Sequence, residues 1–243
     1  MPHVSLRSGK GLQSKPPRRR HWLRWALGSL LALVILLVVA AVAVIKLQPS
    51  PPPLGLPGGA VAAPAGPLDG TWQVTAGSVA GFRVRESFLG VGNDVTGRTG
   101  EVTGAAVARS GQLTRATFQV SLDAITVNGK AHQPQLVQSL AVAAHPIATV
   151  TLAGPFALPA TFSSGSTITR TAPGTLTLNG ITRPETVTLS ARRDGTTIEA
   201  AGWLPVAFAD FGIKGPSGYG ALGSLADHGT AEFLLILAPA EAG

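Results

Sequence analysis

The chain has 243 residues and a formal net charge of +7, but that charge is unevenly distributed. Eight of its nineteen basic residues lie at or before Lys46, whereas all twelve acidic residues lie at or after Asp69. The remainder of the chain carries a net charge of −1 and has no basic excess with which to neutralise phosphates, so we set nucleic acid aside as a partner. The absence of cysteine excludes disulfides, thiolate nucleophiles and Cys-ligated zinc.

Residues 25–45 form an apolar run of 21 residues without a charge. A helix of that length covers about 30 Å, the thickness of a bilayer's hydrocarbon core. Seven basic residues precede the run, so the positive-inside rule places residues 1–24 in the cytoplasm. The sequence therefore predicts a single-pass protein of the cell membrane with an extracytoplasmic C-terminal domain. A cleaved signal peptide is the alternative, although its apolar region typically spans only roughly 7–15 residues.

Residues 46–68 are rich in proline, glycine and alanine, with seven prolines and no charge beyond Lys46. They show no apolar period that could bury one face, and proline-rich chain tends to be extended. We therefore predict a linker here that acts as a spacer without specific contacts. Residues 69–240 are long enough for one core and are predicted to form a single domain.

Alternation of apolar and polar residues indicates that this domain is built from half-buried strands. In the longest example, Phe118, Val120 and Leu122 alternate with polar residues. The dipeptides Asn179-Gly180 and Asp194-Gly195 are strong signals for tight hairpins. The sequence thus predicts a succession of short antiparallel strands.

Residues 132–144 depart from this pattern, because their apolar residues fall at spacings of three and four. That spacing predicts one short helix, which ends before Pro146. About eight strands with one helix favour an all-β fold, a closed antiparallel lipocalin-like barrel. A flat β-sandwich is the alternative architecture.

Four segments of the domain resemble one known family. The most specific is residues 174–187, GTLTLNGITRPETV, which is similar to the motif G-x-L-T-I-x-G-V-T-K-P-V-x-L. The others are the strand pair within 71–84, with V-T-G at 95–97, and the segments 118–127 and 208–213. On these residues the domain resembles the bacterial YceI-like family of lipocalin-like, polyisoprenoid-binding envelope proteins. The chain departs from the family pattern at 130–132 and 141–145.

The resemblance implies a barrel with an elongated apolar cavity, a ligand of the isoprenoid, quinone or fatty-acyl class, and no catalysis. Strand alternation then predicts which side chains face that cavity. The predicted ligand-binding residues are Phe82, Val84, Phe118, Val120, Leu176, Leu178, Trp203, Phe208 and Phe233. The alternative function is that of an envelope interaction protein whose barrel is filled by its own side chains and holds no lipid.

A catalytic function would need groups that converge, and the sequence offers none. His132, His145 and His228 are not in metal-ligand spacing, and no G-x-S-x-G elbow is present. Asp210 is the acidic residue to test first, and we expect it to fix its turn by hydrogen bonds to the backbone. The sequence therefore predicts no enzyme, no catalytic residue, no metal site and no cofactor.

Overall fold

The computed structural model describes residues 28–40, 43, 50–88, 90–127, 130–131, 140, 142–214 and 223–240. The chain divides into two compact units, Met1–Gln48 and Pro49–Gly243. In the first unit, residues 28–40 and Ala43 are helical, and the rest of the predicted spanning helix over 25–45 lies outside the described residues. Within the part of the chain that is described, no helix combines the length and the apolar character needed to cross a bilayer.

The second unit is built from one antiparallel sheet, whose described strands we number β1 to β13. Their bounds are β1 Gly70–Val74, β2 Val79–Phe88, β3 Val91–Thr99, β4 Val102–Arg109, β5 Gln112–Ser121, β6 Thr126–Val127, β7 Lys130–Ala131, β8 Ile147–Leu152, β9 Phe156–Ala157, β10 Ile168–Leu178, β11 Ile181–Asp194, β12 Thr197–Ala207 and β13 Gly223–Pro239.

Eight of these strands close into a ring in the order β1-β4-β5-β8-β10-β11-β12-β13, because β1 also pairs with β13. The closing pair places Trp72 opposite Pro239, and on its other side Trp72 lies opposite Ala106. The prediction of a closed antiparallel barrel of eight strands is confirmed, and the flat sandwich is not the architecture. Strands β2, β3, β6 and β7 extend the sheet beyond the ring, and β2 pairs with β13 from Gly223 to Leu234.

The two dipeptides that signal hairpins lie at hairpins. Asn179 and Gly180 have φ angles of 53° and 72° and connect β10 directly to β11. Both angles are those of a two-residue turn that matches the twist of the flanking strands. Gly195, with φ of 57°, lies in the turn between β11 and β12. The strand pairs that flank both turns are in register from the first residue.

The described residues do not test the helix predicted over 132–144, which stays a prediction. Most of residues 132–144, where we expected it, lie outside the described residues, and Val142–Ala144 form a turn. The described α-helix of the barrel is Ala160–Ser163, which follows β9 and buries Phe162. A 3-10 helix, Phe208–Phe211, follows β12 and buries Phe211 completely.

Residues 50–68, which we call the proline-rich segment, lie against the barrel and do not form the contact-free spacer expected from the sequence. Glu232 on the outer face of β13 accepts a hydrogen bond from the Leu54 backbone N–H at 3.0 Å and pairs with Arg98 at 2.6 Å. Arg83 donates to the carbonyl of Pro51 at 2.6 Å. Glu232 is only 4% exposed, so the segment covers a charged cluster that would otherwise face water.

Candidate ligand-binding cavity

The barrel interior holds a cavity of about 500 Å³. Its wall is apolar almost throughout: among the described lining residues, only Lys214, Thr230 and Glu232 carry polar side chains besides the indole of Trp72. Glu232 belongs to the outer face of β13, where its carboxylate is paired with Arg98, so it supplies no free charge to the interior. The described side chains therefore leave the interior unfilled, in contrast to the alternative of a self-filled barrel.

The structure brings eight of the nine predicted site residues together on this wall. They come from the strands β2, β5, β10 and β13 and from the 3-10 helix that follows β12. The eight are Phe82, Val84, Phe118, Val120, Leu176, Leu178, Phe208 and Phe233. The seven on strands share the inward parity of their strands, Phe208 reaches the wall from the 3-10 helix, and the role of all eight toward a ligand stays a prediction.

Trp203 is the exception, and its prediction as a residue facing the cavity is wrong. Its side chain is 48% exposed and it is absent from the cavity wall. On β12 the inward positions are the even ones, so Leu204 and Val206 line the cavity and Trp203 faces outward. A one-residue error in parity moves a side chain to the opposite face of a strand. The prediction made this error on β12, because it took the large aromatic residue Trp203 as the inward position.

Glycines beneath aromatic rings make room for the wall residues. A Cβ on Gly202 would lie 2.7 Å from Cζ of Phe233, and a Cβ on Gly97 would lie 2.2 Å from Cε1 of Phe82. These inward positions therefore have to lack a side chain while their neighbours carry large ones. Alternation of small and large residues around a barrel is how its interior is shaped. The sequence signal for this pairing is a glycine within an otherwise regular strand.

The cavity is elongated along β13, whose inward residues line it from Leu225 to Leu237. Leu237 pairs with Val74 and Ile198, whereas the other end of the strand pairs with the tip of the β2–β3 hairpin. We call the Leu237 end the floor and the Leu225 end the mouth.

The floor includes residues that sequence reasoning missed. Leu68 lines the cavity from the proline-rich segment, and its carbonyl accepts a hydrogen bond from Trp72 Nε1 at 2.8 Å. The guanidinium of Arg193 lies 6.0 Å from the centre of the Trp72 ring. Arg193 Nη2 also donates to the carbonyls of Ala65 and Gly66, at 2.6 and 3.0 Å. Backbone acceptors carry no sequence signature, so only Leu68 itself, an apolar residue next to β1, could have been found.

The mouth carries Lys214, an exposed residue that lines the cavity just after the 3-10 helix. Nearby, Asp210 is exposed, and its backbone carbonyl accepts a hydrogen bond from Arg183 Nε at 3.1 Å. Partial burial, and then the charge of Asp210, raise the pKa of Glu185. Among the described residues, Asp210 forms this hydrogen bond through its backbone carbonyl. The hydrogen bonds that we expected between its carboxylate and the backbone are not among those described.

The histidines with described positions are exposed: His228 lies on β13, and His145 lies just before β8. His228 bonds Asp227 at 2.8 Å, and this hydrogen bond, followed by the histidine's charge, lowers the pKa of Asp227. The ring of His145 packs over the turn at Gly180, where an added Cβ would lie 2.7 Å away. His132 lies outside the described residues. Within the described part of the chain, no group of three or more His, Asp or Glu residues is placed to hold a metal ion.

A comparison with protein-family models matches residues 72–234 to the YceI-like domain. The chain belongs to the YceI-like family. The match covers most of the barrel and begins at Trp72, so Leu68 and the rest of the proline-rich segment lie outside it. Among curated proteins, none matches this chain significantly.

A solved structure shares the fold of this YceI-like domain, and a second is similar to this chain at a lower TM-score. A polyisoprenoid binding domain from Saccharophagus degradans, implicated in plant cell wall breakdown, is 18% identical with a TM-score of 0.53. The similarity covers 70% of this chain and 98% of that one. BcnA from Burkholderia cenocepacia is 17% identical, with a TM-score of 0.46 and coverage of 68% and 95%. At these identities the likeness to the first structure supports the fold alone.

Proposed function

We propose that this YceI-like protein binds and carries a chain-like amphiphile of the isoprenoid, quinone or fatty-acyl class, and that it does so outside the cytoplasm while tethered to the membrane by residues 25–45. The observation that carries the proposal is the elongated, unfilled apolar cavity of about 500 Å³. Burial of apolar chain provides the driving force, because each buried methylene contributes about 0.8 kcal/mol. The polyisoprenoid binding domain that shares this fold gives the ligand class further support.

The polarity of the wall determines how such a ligand lies. A charged or hydroxylated head group loses hydration in an apolar interior and finds few hydrogen-bond partners there. The floor is closed by Leu68 and Trp72, whereas the mouth carries Lys214. The chain therefore lies inside with its terminal methyl toward the floor, and the head group stays at the mouth. Binding and release require no chemical step, in agreement with a carrier rather than an enzyme.

Native mass spectrometry of the full chain, extracted gently, tests the proposal. We expect a copurifying apolar mass that is released on activation. Ala200→Phe places a ring in the cavity, since Ala200 lines it, and should remove the bound mass. Trp203→Ala changes the outer face of the same strand and should retain it. A wild-type chain without an apolar mass, or equal retention in both variants with unchanged thermal unfolding, would contradict the proposal.

A further inference from the structure

The cavity ends at a floor that the chain supplies from outside its family-matched region. Leu68 lines the cavity, is partly buried, and packs against the hydrophobic core. Its position is held by the bond from Trp72 Nε1 to the Leu68 carbonyl at 2.8 Å. The residue therefore belongs to the wall of the cavity, although the residues before it run over the outer surface of the barrel.

Arg193 stabilises this floor from the side that faces away from the cavity. It is the next inward position of β11 after Val187, Leu189 and Ala191, which line the cavity, but it lies beyond Trp72 and does not reach the cavity itself. Arg193 is only 4% exposed, and its guanidinium donates to two carbonyls of the proline-rich segment. A cation over an aromatic face with two charge-assisted hydrogen bonds is a strong local restraint.

We propose that Leu68, fastened through Trp72 and Arg193, sets the maximum length of the chain that the cavity accepts. The inference rests on the proposed function, because it concerns the inner end of the same cavity. At roughly 30 Å³ for each water-sized group, the cavity holds on the order of fifteen chain carbons. A chain whose methyl end meets the floor gains nothing from further carbons, since these remain outside the mouth.

The expected signature is a dependence of affinity on chain length that levels off. Each additional buried methylene raises affinity about fourfold until the methyl end reaches the floor. Leu68→Ala removes three side-chain carbons, so the rise should continue for about three more carbons. Leu68→Phe enlarges the floor residue, and the rise should stop at a shorter chain. The two variants shift the limit in opposite directions, which a general loss of stability cannot reproduce.

The experiment uses the full chain in an amphipathic polymer, because detergent chains would compete for the cavity. The protein is incubated with an equimolar mixture of saturated straight-chain fatty acids of about 12, 16, 20 and 24 carbons, and native mass spectrometry measures the bound ratios. Leu56→Ala is the matched control, since Leu56 is a half-buried leucine of the same segment that does not line the cavity. The control should keep the wild-type ratios.

The outcomes separate this proposal from the one on which it rests. Ratios that shift toward longer acids in Leu68→Ala and toward shorter acids in Leu68→Phe support the floor. Fatty acid binding with identical ratios in wild type and both variants overturns the role of Leu68 and leaves the carrier function in place. A wild-type chain that binds none of the four acids overturns the length limit, and it overturns the carrier function as well if no apolar mass copurifies.

Discussion

Arg193 is a buried cation that has no acidic partner among the residues that the structure describes. Its Nη2 bonds two backbone carbonyls, and its plane lies near the ring of Trp72. Its Nε is buried and has no hydrogen-bond partner among the described residues. Neutral oxygens and an aromatic face replace a carboxylate here, so the stability of the guanidinium depends on the proline-rich segment staying in place.

We therefore expect Arg193→Ala to lower the free energy of unfolding by about 2–3 kcal/mol, through the lost charge-assisted hydrogen bonds and the lost packing on Trp72. Urea denaturation of the full chain measures it. Arg170→Ala is the control, because Arg170 is exposed and its hydrogen bond among the described residues goes to the neighbouring Thr169 carbonyl. Its effect should stay within about 0.5 kcal/mol. Equal midpoints for the two variants would contradict the role given to Arg193.

Lys214 is the cation at the mouth, and its effect should depend on the charge of the ligand's head group. We expect Lys214→Glu to weaken binding of a fatty acid about threefold to tenfold at low salt, and less at high salt, because the site is exposed and screened. Binding of the corresponding fatty alcohol should change little. Competition against a fluorescent fatty-acid probe measures both ligands, and equal losses for acid and alcohol would rule out a head group at this end.

At the scale of single strands, the sequence predicted the wall of the cavity well. Alternation on β2, β5 and β10 identified residues such as Phe82, Phe118 and Leu176, because one face of each strand is apolar and the other polar. On β12 the alternation was assigned to the wrong face, because Gly202, one of the two inward neighbours of Trp203, carries no apolar side chain. The parity of Leu204 and Val206 was the better guide, since it depends on two residues rather than one.

The proline-rich segment could not be placed from its sequence, for a physical reason. Proline has no N–H, but its carbonyl remains free to accept hydrogen bonds in extended chain. Arg83, Arg98 and Arg192 use these acceptors, donating to the carbonyls of Pro51, Pro52 and Pro57 at distances of 2.6, 3.1 and 2.7 Å. The side chains of the segment reveal none of this, since the arginines recognise only its backbone.

We therefore expect the domain to require residues 50–68 for its full stability. A chain that lacks residues 1–68 loses the acceptors of four arginines and the floor residue Leu68, and should unfold at least about 4 °C lower than one that lacks residues 1–49. Differential scanning calorimetry of the two truncated chains, prepared without detergent, gives the comparison. Coincident transitions would mean that the segment rests on the barrel without stabilising it.

At the scale of the whole molecule, the proposed membrane topology rests on the distribution of charge along the chain. The basic residues of 1–24 precede the apolar run at 25–45, whereas the domain that follows is nearly neutral. The sequence predicted the closed barrel and the family, which depend on patterns repeated along the chain. The depth of the cavity could not be predicted from such patterns, because it depends on which side chains meet across the barrel after closure.

We expect protease added to intact spheroplasts to digest the domain and to spare a tag placed before residue 1, because the positive-inside rule keeps the basic tail inside. Replacing Arg18, Arg19, Arg20 and Arg24 by alanine should reduce the fraction with this orientation, whereas replacing Arg170 and Arg183 in the domain should leave it unchanged. Immunoblotting of both ends measures the outcome. A tag that is digested together with the domain would contradict the proposed orientation.

Strand β13 pairs with β1, β2 and β12, so the ring of strands needs its last member before it can close. About 150 residues separate the end of β1 from the start of β13, and at ribosomal rates of about 5–20 residues per second their synthesis takes on the order of ten seconds. Throughout that interval the early strands lack the partner that seals them. The nascent barrel therefore stays open until translation is nearly finished. A chain that has not closed can still pass through a narrow channel while it is being synthesised.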